Sequence, residues 1–73
     1  MDIKLSGMYT QIFMNKRVII ENCDGIIDYN QEEVVIKTGK LSVVVVGKDL
    51  KIKALTDKTA DIEGFISSIS FSY

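Results

Sequence analysis

"VVIKTGKLSVVVVGKDLKIKAL", residues 34–55, is the stretch whose reading decides the fold. Its apolar residues fall into short runs, and two Gly-Lys pairs punctuate them. Successive side chains of a strand point to opposite faces, so turn positions translate directly into register. A two-residue type II′ turn at Gly39-Lys40, with Gly in first position, sets Thr38 opposite Leu41, Ile36 opposite Val43 and Val34 opposite Val45. A second such turn at Gly47-Lys48 sets Val45 opposite Leu50, Val43 opposite Ile52 and Leu41 opposite Ala54. Both turns agree on one shared face: Val34, Ile36, Leu41, Val43, Val45, Leu50 and Ile52. A slip of one residue would send that whole set to the other side. The expectation is a three-stranded antiparallel meander at the centre of the protein.

Strand character extends outward in both directions. The chain has eleven isoleucines, seven valines and no proline, a composition that favours strands. No segment shows a helical period of 3.6. Strands are expected near 8–14, 17–21, 26–29, 33–38, 41–46, 49–55 and 60–72, with residues 1–7 read as a lead-in. Upstream, the polar connection Asp28–Glu33 sets Tyr29 opposite Val34 and Ile27 opposite Ile36. A tight turn is expected around Asn15-Lys16. Asp24-Gly25 is a turn pair or a bend, with Gly25 suited to positive φ. Downstream, Ile52 and Ile62 share the buried face if the loop between 55 and 60 has an odd number of residues, such as Thr56-Asp57-Lys58. Lys53 then sits beside Asp61, and Lys51 beside Glu63. In the last strand the apolar positions change phase. Ala60, Ile62, Gly64 and Ile66 fall on even numbers, whereas Ile69, Phe71 and Tyr73 fall on odd ones. An extra residue near Ser67-Ser68, a β-bulge, accounts for the switch. The expected class is all-β: an antiparallel meander of six to seven short strands, curled into a small partly open barrel or a two-layer roll.

At 73 residues the chain is read as one domain, residues 1–73. Domains of this size have a thin stability margin and usually rely on a disulfide, a metal or a partner. Cys23 is the only cysteine and there is no histidine, so neither a disulfide nor a zinc site can be built within one chain. Packing and self-association remain, and a homo-oligomer is expected. Nine basic against ten acidic residues give a net charge of −1, with no global field to draw nucleic acid. No run reaches the roughly 18 apolar residues of a membrane span, and the beginning lacks the apolar core of a signal peptide. A cytoplasmic protein with a reduced thiol is the resulting expectation.

Catalytic groups are scarce. Without histidine there is no Ser-His or Cys-His pair. The serines at 67, 68, 70 and 72 fit the polar face of a strand, and the carboxylates beside Cys23 disfavour a thiolate. "TGKLS" (38–42) has Gly-Lys but neither the spacing nor the strand-to-helix setting of a phosphate loop. The acidic pairs lack calcium-loop spacing. No enzyme activity, no cofactor, no metal and no small-molecule substrate is expected.

What the outward side of the central sheet offers is aliphatic. Val35 and Val44 are cross-strand neighbours there, Val46 lies one step along, and Ile26 is nearby. Lys51 and Lys53 share the outward side. An apolar patch rimmed by charge has the composition of an interaction surface. Residues Val35, Val44, Val46, Lys51 and Lys53 are therefore the candidate interaction surface. Its cover is either the segment Phe65–Tyr73 folded back over it or another molecule; an unpaired edge strand would recruit a partner by strand addition. The alternative function is a small nucleic-acid-binding β-barrel using Lys37, Lys51 and Lys53. It lacks aromatic stacking partners on that face.

Motif order adds a resemblance. "VIIENCDGIIDYNQEEVVIKT" (18–38), "GKLSVVVVGKDLKIKAL" (39–55) and "ADIEGFISSISF" (60–71), taken as an ordered set, resemble the YabP/YqfC family of sporulation proteins, closest to the YqfC type. The resemblance implies a non-enzymatic protein of the mother cell of an endospore-forming bacterium, working in maturation of the spore envelope (cortex and coat). It also implies a membrane-associated sporulation protein as partner, with a location peripheral to the forespore membrane through that partner. Members of the family often read Asn-His-Arg-Gly where this chain has Asn22-Cys23-Asp24-Gly25. A basic pair is thus replaced by a thiol and an acid.

Overall fold

The computed structural model describes residues 1–5 and 7–72, with Leu5 described by its backbone. Seven strands run β1 (Asp2–Leu5), β2 (Met8–Phe13), β3 (Arg17–Glu21), β4 (Gly25–Tyr29), β5 (Glu33–Thr38), β6 (Leu41–Leu55) and β7 (Thr59–Ser72). They form one antiparallel sheet in the order β1-β2-β3-β7-β6-β5-β4, open between β1 and β4. The expected all-β class is observed. Asp2–Leu5, inside the stretch read as a lead-in, pairs with β2 from Asp2↔Gln11 to Leu5↔Met8. Tyr73, expected on the apolar phase of the last strand, lies outside the described residues.

The Gly39-Lys40 hairpin has the expected register, with Thr38↔Leu41, Ile36↔Val43 and Val34↔Val45. Gly47-Lys48 does not. It is not a turn, because β6 continues through it to Leu55, so Val45 and Leu50 lie on one strand. The partners of Val43 and Val45 are instead Phe71 and Ile69 of β7. The inward face is nevertheless the expected one, since Val34, Ile36, Leu41, Val43, Val45 and Leu50 are all buried and Ile52 is half-buried. The reason is parity. Between Lys48 and Lys51, β6 carries two residues against Gly64 alone on β7, and Asp49 takes a left-handed φ of 54°. That one extra residue resets the alternation just as a two-residue turn would.

Two further irregularities bend the long hairpin. Ser67 is the extra residue on β7, between the pairs Val46↔Ser68 and Gly47↔Ile66, where the phase switch called for a bulge. Lys53 is extra on β6, between Ile52↔Ile62 and Ala54↔Asp61. The loop between β6 and β7 is residues 56–58, as parity required. In β4 a shift at Ile27 puts Ile26 opposite Ile36 while Tyr29 keeps Val34. The expected pairing of Ile27 with Ile36 is thereby corrected, and Ile27 is left exposed.

These bends curl the sheet. Seven strands laid flat would span about 29 Å and form one thin layer, yet the shortest axis is 21 Å. The first part of β7 lies between β3 (Arg17↔Glu63 to Glu21↔Thr59) and the end of β6. Among the described residues, the second part of β7 from Ser68 to Ser72 pairs with the beginning of β6 alone. Both regions feed one core: Val18, Ile20 and Ile62 pack with Ile36, Val43 and Val45, all fully buried. Where β6 and β7 cross, no side chain fits. A Cβ on Gly47 would lie 2.0 Å from the Phe65 carbonyl oxygen, and one on Gly64 would lie 2.8 Å from that of Asp49.

The connections lock the two ends. The β3–β4 segment ties each residue to a different loop. Asn22 Nδ2 donates to the Gly7 carbonyl at 2.9 Å, and the Cys23 N–H to that of Lys58 at 3.1 Å. The Asp24 N–H donates to Lys37 at 2.7 Å, and Asp24 Oδ2 accepts from the Gly39 N–H at 2.6 Å. At the other end, the N–H groups of Gly47 and Leu50 donate to the carbonyls of Glu32 and Gln31, both at 2.9 Å. The bulge thus finds in the β4–β5 loop the partners that the ladder denies it.

Candidate interaction face

Val35, Val44 and Val46 fall on the outward side because their neighbours Val34, Ile36, Val43 and Val45 fill the core. Sheet pairing arranges them in rows. Val35 stands opposite Val44 on one side and Asp28 on the other, and Val44 continues to Ser70. In the next outward row Glu33, Val46 and Ser68 are partners. All three valines are half-buried. The face is a small aliphatic cluster bounded by serines on β7 and acids on β4 and β5.

One of the two candidate covers is eliminated. The segment from Phe65 onward does not fold over the valines. It lies beside them as the next strand, directing Ile69 and Phe71 into the core and Ser68, Ser70 and Ser72 outward. Ile26 is not on the outward face either; it packs against the core.

Lys51 and Lys53 lie on the outward side but beyond the bulge, opposite Glu63 and not opposite the valines. Lys51 faces Glu63 as expected. Lys53 does not sit beside Asp61. As a bulged residue it reaches Glu63, with Nζ 2.9 Å from Oε2. The aromatic missing from the expected face is present here: exposed Phe65 joins Lys51, Lys53, Glu63 and Asp49 around an open cavity of about 400 Å³. Two acids among those groups cancel the field that a phosphate backbone would need.

Asp61 belongs to another partner, which local spacing could not identify. Arg17 on β3 grips it through two bonds, Nε to Oδ1 at 3.0 Å and Nη2 to Oδ2 at 2.7 Å. The guanidinium also lies 5.8 Å from the centre of the Phe13 ring. Those hydrogen bonds hold the Asp61 carboxyl below its ordinary range, outweighing the opposing effect of its burial. Arg17 is correspondingly raised by Asp61. The only signal was the β3–β7 register, which joins residues far apart in sequence.

Cys23 is buried, and desolvation pushes its thiol up, the opposite of an activated nucleophile. Its neighbour Asp24 acts through the carboxylate that accepts from Gly39. An arginine at position 24 has no acceptor for that bond, so the acid gives this chain a tether that a His-Arg step would not.

The YabP family model matches residues 8–73. Neither a curated protein nor a solved structure matches the chain.

Proposed function

The chain belongs to the YabP family, and from that premise we propose that it is a non-enzymatic assembly module of spore-envelope formation, working by protein–protein contact through the valine face. Family membership points to a role in sporulation. The observation that carries the finer reading is the row Val35–Val44 with Val46 beside it, half-exposed on the outward side with no strand of the described chain folded over it. Aliphatic residues ringed by polar ones are the ordinary make-up of a contact surface. The proposal includes the cytoplasm of the mother cell as location, with a membrane-associated sporulation protein as partner.

The test is Val44→Asp at the native locus of an endospore-forming host, with Val44→Thr as the isosteric control. The expected result is a sharp fall in heat-resistant spores for Val44→Asp, at normal protein level and with a cooperative melt of the purified variant. Normal spore numbers from a folded Val44→Asp protein would refute the reading.

A further inference from the structure

The strand edges of this sheet are not equally guarded. Unpaired edges invite another chain, and proteins blunt them with charges, bulges or short length. β1 has four residues and carries Asp2 and Lys4. β4 has a shift at Ile27 and carries Asp28. The free edge at the end of β6 carries Lys51 and Lys53 and an extra residue. The second part of β7 has its one extra residue at Ser67, and from Ser68 to Ser72 it carries neither a charge nor a bulge. β3 covers β7 only from Thr59 to Glu63. The next bonds on that side are Gly64 N–H to Lys16 and Ile66 N–H to Asn15, at 3.0 and 2.8 Å. From Ser68 to Ser72 the described residues offer that edge no partner, and the strand is uncharged and free of proline.

Its sequence is also symmetric. Ser68-Ile69-Ser70-Phe71-Ser72 reads as polar, apolar, polar, apolar, polar from either end. Serines are outward and exposed; Ile69 and Phe71 point inward and are half-buried against the core. We propose that this edge is a self-association site, in which β7 of one copy pairs antiparallel with β7 of a second copy about a two-fold axis through Ser70. Ser70 then faces Ser70 of the second copy, each Ile69 faces a Phe71, and each Ser68 faces a Ser72. Apolar meets apolar on the inner side and hydroxyl meets hydroxyl on the outer. No charge is buried, and such an isologous contact closes as a dimer. Because Val35, Val44 and Ser70 form one row, pairing would also set the two valine faces on one continuous outer surface. The edge pairing itself does not depend on what binds those valines.

The experiment uses the full chain carrying Ser70→Cys or Ser68→Cys, under mild oxidation on a non-reducing gel. Directly opposite residues have Cα atoms about 4.5–5.5 Å apart, within the range a disulfide spans. The two copies of residue 68 would be about 14 Å apart, four residues out of register. Native Cys23 is buried and gives little background. The expected result is a covalent dimer for Ser70→Cys and almost none for Ser68→Cys. In solution, Ser70→Lys and Ser70→Asp should each weaken the dimer by roughly tenfold or more, since like charges opposite one another destabilise a strand pair. Mixing the two variants should restore it. A wild-type chain that stays monomeric at every concentration would overturn the proposal, and so would equal cross-linking at 68 and 70. A dimer lost with Val44→Asp but kept with Ser70→Lys would overturn it in favour of pairing through the valine face.

Discussion

Gly47→Ala tests the geometry on which the fold rests. The added Cβ would lie 2.0 Å from the Phe65 carbonyl oxygen, 2.9 Å from its carbon and 3.0 Å from Ile66 Cα. All three are backbone atoms, so no rotamer change relieves them. To bring the oxygen contact to a bare 3.0 Å, β6 and β7 must part by about 1 Å at a spacing normally near 4.8 Å. That stretches the adjacent ladder bonds beyond hydrogen-bonding distance. Overpacking costs about 1–3 kcal/mol, and two weakened bonds add about 1 kcal/mol each. The sum is about 3–5 kcal/mol, against a total stability of about 4–11 kcal/mol for a chain of this length. With about 4–8 °C per kcal/mol, the melting temperature should fall by at least about 12 °C. Circular dichroism melts of purified protein measure this, with urea titration as a check. Gly39→Asn is the control: φ is +62° with nothing within 4 Å of an added Cβ, and Asn tolerates that backbone, so it should melt within about 4 °C of the parent. A Gly47→Ala protein that melts as close to the parent as that would refute the β6–β7 crossing as described.

Asp24→Ala removes the acceptor for the Gly39 N–H and should cost about 1 kcal/mol, a fall of about 4–8 °C in the melt; Asp24→Asn, which keeps an acceptor oxygen, should lose less than half of that. Asp61 has a folded pKa below its unfolded value, so below an unfolded pKa of about 3.9 the unfolded chain binds more protons and stability declines as pH falls. Asp61→Asn should be less stable at neutral pH and should show a flatter stability curve between about pH 4 and pH 2, measured by urea titration across that range.

The parts of the fold legible in the sequence are those fixed by local parity. Ile36↔Val43 followed from one turn, Ile52↔Ile62 from the parity of one loop, and the Ser67 bulge from a phase change within one strand. Gly47-Lys48 misled because a two-residue turn and a one-residue bulge have the same effect on alternation. What separates them is the Phe65 carbonyl packed against Gly47, and nothing near residue 47 announces it. The Arg17–Asp61 pair and the β3–β7 register were hidden for the same reason. β1 was a different kind of loss: Asp2–Leu5 is too short to show a period, and only its pairing with β2 makes it a strand. The candidate face divided along the same line. Val35, Val44 and Val46 were placed by hairpin parity and lie where expected. Lys51 and Lys53 were joined to them through the missing turn and belong to a separate, charge-balanced region around Phe65.

The bend at Gly47 and Gly64 has a consequence for function as well as for stability. β3 has five residues and begins at Arg17, just after its turn from β2, so it follows β7 only to Glu63. The bulges near that point turn the long hairpin, and the remaining strand of β7 leaves β3 with its uncharged edge open and, one strand away, the valine row. Substitutions outside the bend can separate these effects. Ser70→Lys acts on the edge and Val44→Asp on the face. The two residues are cross-strand partners, so their double variant should melt above the additive expectation, the opposite charges recovering about 0.2–1 kcal/mol. In assembly the two separate: a dimer lost with Ser70→Lys and kept with Val44→Asp belongs to the edge.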